Sequence, residues 1–360
     1  MAKRIRDLGI NLPGVPGPNN AITDVNGVAV GHHNIIQGHG KLIVGEGPVR
    51  TGVTAVLPGN RDASPVFAAG YSLNGNGELS GMHWVEESGI LNGPICITNT
   101  HSVGAVHEAA IRWSNQHQGM DLMRFCLPVV GETYDGVLND INGFHVKAEH
   151  VFSALDNARE GVVAEGNVGG GTGMICHRFK GVIGTASRQV VIDDSEYTLG
   201  VLVQANYGVR ETFTVAGVPV GEEITDLMPQ MDAGDTGSII VVVACDAPFL
   251  PHQLKRIARR VPMGMAKVGS YAGDSSGDIF IAFSTANAVG QDNPCTLQML
   301  PNEQMDPFFL ATVQATEESI LNALAAAETM TGIDDNTVYQ LPQDRLLSIM
   351  KKYNRHRTSD

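Results

Sequence analysis

Long apolar runs are missing from this chain. Nowhere in its 360 residues do about eighteen apolar residues follow one another, so no transmembrane helix is expected. The basic start, Met1 to Asp7, leads into no apolar stretch, and no secretory signal is expected there. Cysteine is scarce: Cys96, Cys126, Cys176, Cys245 and Cys295 are odd in number and scattered, with no CxxC pair. That favours free thiols in a reducing, cytoplasmic compartment over disulfides or zinc. HExxH is absent, and the twelve histidines, His32, His33, His101 and His107 among them, show no metal-ligand spacing. No metal and no cofactor are expected. Positive charge is short as well. With 24 Lys and Arg against 38 Asp and Glu the net charge is −14, which argues against nucleic acid or an anionic membrane as partner and is compatible with a cationic substrate. Aromatic residues make up 6 %, and no internal repeat or low-complexity tract is visible.

Glycine is plentiful, at 42 residues, in short groups between apolar runs, as tight turns between strands require. Thr51–Leu57, Pro94–Thr98, Gln189–Ile192, Thr198–Ala205, Ser238–Ala244 and Asp278–Ser284 read as strands, and Asn26-Gly27 within Ala21–His32 signals a hairpin. Helical periodicity marks Val103–Asn115, Val146–Ala158, Leu254–Lys267, Pro307–Met330 and Pro342–Tyr353. The groups are segregated, so the expected class is α+β: stacked sheets with helices on their outer faces. The stretch from Tyr207 to Gly237 is the least patterned, acidic and interrupted by Pro219 and Pro229. A structureless segment of that length is usually functional or mobile.

Three motifs invite a chemical reading. Gly166–Gly173 fails both G-x-G-x-x-G and the Walker pattern, and reads as a tight irregular loop. Gly273-Asp274-Ser275-Ser276-Gly277 has the letters of a nucleophile elbow, but a helix precedes it and a strand follows, the reverse of an elbow. What survives is Ser276 and Asp278 at i and i+2, on one strand face, where a carboxylate can orient a hydroxyl. Glu132-Thr133-Tyr134-Asp135-Gly136 follows the apolar Leu127–Val130 run. It reads first as a polar turn closing a strand. As a site, Glu132 would hold an ammonium and Tyr134 would donate to an oxyanion.

Gly237-Ser238 is the most telling junction. An acidic, glycine-rich stretch runs into a serine that opens the apolar run Ile239–Ala244. Gly-Ser before a strand is ordinarily a loop end. In a self-cleaving hydrolase the glycine would let the preceding peptide bend against the serine hydroxyl. The serine would then become a chain terminus, with an α-amine of pKa about 7.7–8.0 able to serve as base.

Taken together, GVPGPNN (Gly14–Asn20), DVNGVAVGH (Asp24–His32), TNTHSVGA (Thr98–Ala105), VGETYDGVLNDI (Val130–Ile141), GNVGGGTGM (Gly166–Met174), Gly184–Arg188, QANYG (Gln204–Gly208), Gly237–Arg260 and Gly273–Asn287 resemble the DmpA-type family. That family includes L-aminopeptidase/D-amidase-esterases and β-peptidyl aminopeptidases. The resemblance implies a four-layer αββα sandwich akin to the N-terminal-nucleophile hydrolases, formed by one domain, residues 1–360, self-cleaved between Gly237 and Ser238 into chains 1–237 and 238–360. It implies a tetramer of such heterodimers, and peptides or aminoacyl amides and esters with a free amine as substrates. Carried over by position, Ser238 is the nucleophile and Ser276 with Asp278 the relay. Asn206 and Tyr134 support the oxyanion and the substrate, and Glu132 receives the amine. Some relatives carry Glu where this chain has the shorter Asp278. Whether the Ser238 α-amine or the relay is the base stays open. Two rivals remain: an acyl transferase of the ornithine acetyltransferase type, which uses threonine where this chain has Ser238, and an uncleaved binding protein.

Overall fold

The computed structural model describes residues 3–59, 65–117, 126–231, 237–287, 289 and 296–356. In chain order the strands are β1 (Ala29–Gln37), β2 (Val49–Leu57), β3 (Val66–Gly75), β4 (Ile90–Leu91), β5 (Ile95–Asn99), β6 (Val129–Thr133), β7 (Ile175–Cys176), β8 (Phe179–Lys180), β9 (Ile183–Ile192), β10 (Ser195–Asn206), β11 (Ser238–Cys245), β12 (Gly277–Ser284), β13 (Met330–Thr331) and β14 (Thr337–Val338). The helices are α1 (Met82–Ser88), α2 (Val103–His117), α3 (Ala148–Asp156), α4 (Val220–Glu223), α5 (Pro251–Ala258), α6 (Val261–Ala266), α7 (Asp306–Ala326) and α8 (Gln343–Lys352).

One sheet has the order β1-β2-β5-β6 and the other β4-β3-β12-β11-β10-β9, while β7-β8 and β13-β14 are small separate hairpins. Three apolar cores set the layering. Val56, Ile97, Val129, Ile240, Val242 and Ile281 fill the space between the sheets. Ile239, Val241, Val243 and Phe280 face the opposite way, toward Leu254, Ile257 and Leu321 of α5 and α7. Val53, Ala55 and Val130 pack on Val106, Trp113, Val151 and Leu155 of α2 and α3. The result is a four-layer αββα sandwich. β11 lies at its centre, buried on both faces, which is why its sequence is an unbroken β-branched run instead of an alternating one.

Several expectations shift. Asn26-Gly27 is a turn with no strand on its N-terminal side: a 3₁₀ turn, Ile22–Asp24, precedes it and β1 begins at Ala29. The expected helix Leu254–Lys267 is two helices, α5 and α6, parted at Arg259-Arg260. Pro262, with no N–H and a ring that would strike the Ala258 carbonyl, stops the first from continuing. The described part of the unpatterned stretch, up to Met231, is tied down by side chains instead of a ladder. Buried Arg210 donates to the carbonyls of His177, Arg178, Ile224 and Asp226 at 2.9–3.0 Å, and the Asn336 side chain brackets Gln230. Asp232–Thr236 lie outside the described residues.

The N-terminal segment is held against α7 by charge. Glu318, whose side chain is fully buried, accepts from Arg6 at 2.7 and 2.8 Å, from Arg188 at 2.7 Å and from Asn20 at 2.6 Å. Burial alone would push this carboxyl up. The two guanidinium groups outweigh it, and its pKa lies below the ordinary value.

Candidate active site

Ser238 is the first residue of β11. Its register partners are Asn206, the last residue of antiparallel β10, and Gly277, the first of parallel β12. A residue ending one strand and two residues beginning the next two therefore meet at one sheet end. Gly237 sits so close to β10 that a Cβ there would lie 2.1 Å from the Asn206 carbonyl oxygen and 2.4 Å from the Tyr207 Cα. Only glycine allows that approach. The Gly237 carbonyl, which belongs to the Gly237–Ser238 peptide, accepts from the Gly277 N–H at 3.2 Å.

The Asn206 amide is fixed at both ends, its Oδ1 accepting from the Ile175 N–H at 2.8 Å and its Nδ2 donating to the Tyr134 carbonyl at 3.0 Å. Among the described residues the second Nδ2 hydrogen has no acceptor, and Asn206 is the register partner of Ser238. The Ser276 hydroxyl donates to Asp278 Oδ1 at 2.8 Å. Asn74, opposite Asp278 on β3, reaches its Oδ2 at 3.2 Å and also donates to the Ala272 and Gly273 carbonyls. Ser276 and Asp278 are both 1 % exposed, so their pairing sits in a low-dielectric setting that strengthens it.

A cavity of about 470 Å³ opens onto this strand end, lined by Gly75, Asn76, Gly77, Glu78, Thr100, Glu132, Tyr134, Gly237, Ser238 and Ser275. The expected turn at Glu132 is instead the last part of β6: Glu132 and Thr133 pair with Thr98 and Asn99 of β5. Glu132 is 3 % exposed. Its Oε1 accepts from the Glu78 N–H at 3.0 Å and its Oε2 from the Thr100 hydroxyl. These are neutral donors. Burial, which they do not fully offset, pushes the Glu132 carboxyl up from its ordinary range. A Cβ at Gly77 would lie 3.0 Å from Glu132 Oε1, so glycine there keeps that side of the carboxylate open. Tyr134 stands half-exposed at the cavity edge. Behind it Asp135 is buried, pushed by desolvation to a pKa of about 7 and held by Asn139 at 3.0 Å.

The six side chains picked from the sequence thus gather at one end of the sandwich. Glu132, Tyr134 and Ser238 share the cavity, Asn206 and Asp278 flank it through the strands, and Ser276 precedes the residue paired with Ser238. Sequence reasoning missed Thr100, Glu78 and Asn74, whose roles depend on elements far away in the chain.

Comparison with known proteins identifies the family and the fold. The model of peptidase family S58 matches residues 20–338. The chain is 51 % identical to the β-peptidyl aminopeptidase BapA of Sphingosinicella microcystinivorans, over 98 % of this chain and 93 % of the relative. Among solved structures, the L-aminopeptidase D-Ala-esterase/amidase of Ochrobactrum anthropi, described as a prototype for the serine aminopeptidases and a new variant of the Ntn hydrolase fold, superposes with a TM-score of 0.92 at 46 % identity, covering 98 % of this chain and 99 % of the other. A Burkholderia sp. β-aminopeptidase gives 0.87 at 47 %, covering 97 % and 99 %. Fold and site define a hydrolase of the N-terminal-nucleophile type. The chain belongs to peptidase family S58 and is a self-processing aminopeptidase.

Proposed function

We propose that the chain cleaves its own Gly237–Ser238 bond and then, through Ser238, releases N-terminal residues from peptides, amides or esters bearing a free amine. The observation that carries this reading is the convergence on one cavity of Ser238, at the mouth of β11, and the buried carboxylate of Glu132, hydrogen-bonded among the described residues by neutral donors. In self-cleavage, the Ser238 oxygen attacks the Gly237 carbonyl and displaces its own nitrogen. Water then hydrolyses the ester, leaving a Gly237 carboxylate and a Ser238 α-amine. The Gly277 N–H, already on that carbonyl oxygen, stabilises the charge that develops there.

Turnover repeats the geometry with a substrate carbonyl in place of Gly237. The freed Gly277 N–H and the spare Asn206 hydrogen take the oxyanion, Tyr134 supports the bound substrate, and Glu132 takes the ammonium. The Ser238 proton passes to its own α-amine or toward Ser276 and Asp278, then to the leaving amine, and water releases the acyl group. Tight burial of Ser276 with Asp278 favours an orienting part for that pair. The β-peptidyl relatives support β-amino residues at the amine end. The reading includes a tetramer of cleaved halves in the cytoplasm.

Mass spectrometry tests it: fragments 1–237 and 238–360 are expected, and Ser238→Ala should stay full length and inactive. An active, intact chain would overturn the proposal. Ser276→Ala and Asp278→Asn should each slow turnover, with a double mutant little worse than either, since the two act as a unit.

A further inference from the structure

The cavity that receives the substrate amine holds a second carboxylate. Glu78 lines it together with Glu132, and is exposed where Glu132 is buried. Its position is built, not incidental. The Glu78 N–H is bound to Glu132 Oε1 at 3.0 Å. The next residue, Leu79, bridges to Gly131 of β6, and the Ser80 N–H donates to the Val130 carbonyl at 3.0 Å. On the other side the Asn76 side chain donates to the Ser275 carbonyl at 2.7 Å. The segment is therefore stitched to β6 and to the Ser275 loop before β12, with the Glu78 backbone bound to the amine-binding carboxylate and both side chains lining one cavity.

Charge accounting follows. The described cavity lining of the uncleaved chain carries two carboxylates and no lysine, arginine or histidine; the proposed self-cleavage adds the Gly237 carboxylate and the Ser238 α-amine, which together leave that excess of negative charge in place. His101 stacks on Phe144 and does not line the cavity, though its charge acts on Glu132 from there and lowers that pKa. The two acidic groups repel each other, and Glu78 is among the causes that raise the Glu132 pKa, after burial. A substrate with one ammonium neutralises Glu132 and leaves Glu78 without a counter-charge.

We infer that Glu78 selects substrates whose first residue carries a second cation, a lysine- or ornithine-like side chain next to the free amine. This rests on Glu132 being the amine anchor. Because Glu78 is tied to that anchor, the second cation belongs to the first residue and not to the leaving group. Electrostatic pairing at a partly wet site is modest, so lysyl p-nitroanilide should be favoured over its uncharged isostere norleucyl p-nitroanilide by about three- to fivefold in kcat/KM. That preference should shrink as salt rises.

The test compares those two anilides, with alanyl-lysine amide against alanyl-norleucine amide as the leaving-group arm, on wild type, Glu78→Gln, Glu78→Asp and Glu132→Gln. The lysyl-to-norleucyl ratio should fall to about one in Glu78→Gln, survive in part in Glu78→Asp, and be absent from the leaving-group arm. A wild-type ratio near one, or a ratio that Glu78→Gln leaves unchanged, overturns the inference. A preference found only in the leaving-group arm overturns it too. If Glu132→Gln leaves the hydrolysis of both anilides untouched, it is the anchor reading beneath it that fails.

Discussion

Two buried glutamates solve the same problem in opposite ways. Glu318 in α7 and Glu132 in β6 are both withdrawn from water. Glu318 meets two guanidinium groups, Arg6 and Arg188, and its pKa falls. Glu132 meets one hydroxyl and one backbone amide, and its pKa rises. Desolvation is charged to both. The fold sets two guanidinium groups against the first; against the second it sets, among the described residues, only neutral hydrogen-bond donors, with the charge of His101 too weak to offset burial. One carboxylate is thereby a fastener between the N-terminal segment and the long helix; the other, in the function proposed above, receives the ammonium of a substrate.

Mutation should separate the two roles. Glu318→Gln strands two arginines, one of them fully buried, and should cost about 3–5 kcal/mol of stability, read by thermal or denaturant unfolding. A loss under about 1 kcal/mol would mean the arginines find other partners. The acid limb of stability should follow. The Glu318 pKa is depressed on folding, so its contribution is complete above the ordinary carboxylate range and is lost as pH falls through the lower folded value. Glu318→Gln should flatten that part of the pH–stability curve. Glu132 carries the opposite sign. Its folded pKa is raised, so it favours folding below the ordinary range and loses that advantage as pH climbs through the folded value. Glu132→Gln should therefore be neutral or slightly stabilising at neutral pH, by less than about 1 kcal/mol. A large destabilisation would make Glu132 a structural residue like Glu318.

The same contrast explains what could be read from the chain. Ser238, Ser276 and Asp278 were legible because their logic is local: a strand start, and an i, i+2 pair whose hydrogen bond the fold completes at 2.8 Å. The segregated strands and helices gave the layered class for the same reason. Glu132 was only an alternative to a polar turn until family likeness favoured it. The end of a strand and the turn after it use similar residues, and its donors lie 32 and 54 positions away. The Glu318 cluster joins residues 130 and 312 positions apart, beyond any periodicity. The break between α5 and α6 was written in Pro262, although the apolar spacing of Leu254, Ile257, Val261 and Met265 runs straight across it.

The central claim, that buried Glu132, held by neutral donors, receives the substrate's ammonium, meets its most direct test in a ratio. kcat/KM is measured for an aminoacyl amide and its N-acetyl derivative on wild type and on Glu132→Gln. Wild type should prefer the free amine by a wide margin, because acetylation leaves a desolvated carboxylate unpaired, at a cost of several kcal/mol. Glu132→Gln should lose most of that margin by slowing the free-amine substrate. An unchanged ratio would contradict the account.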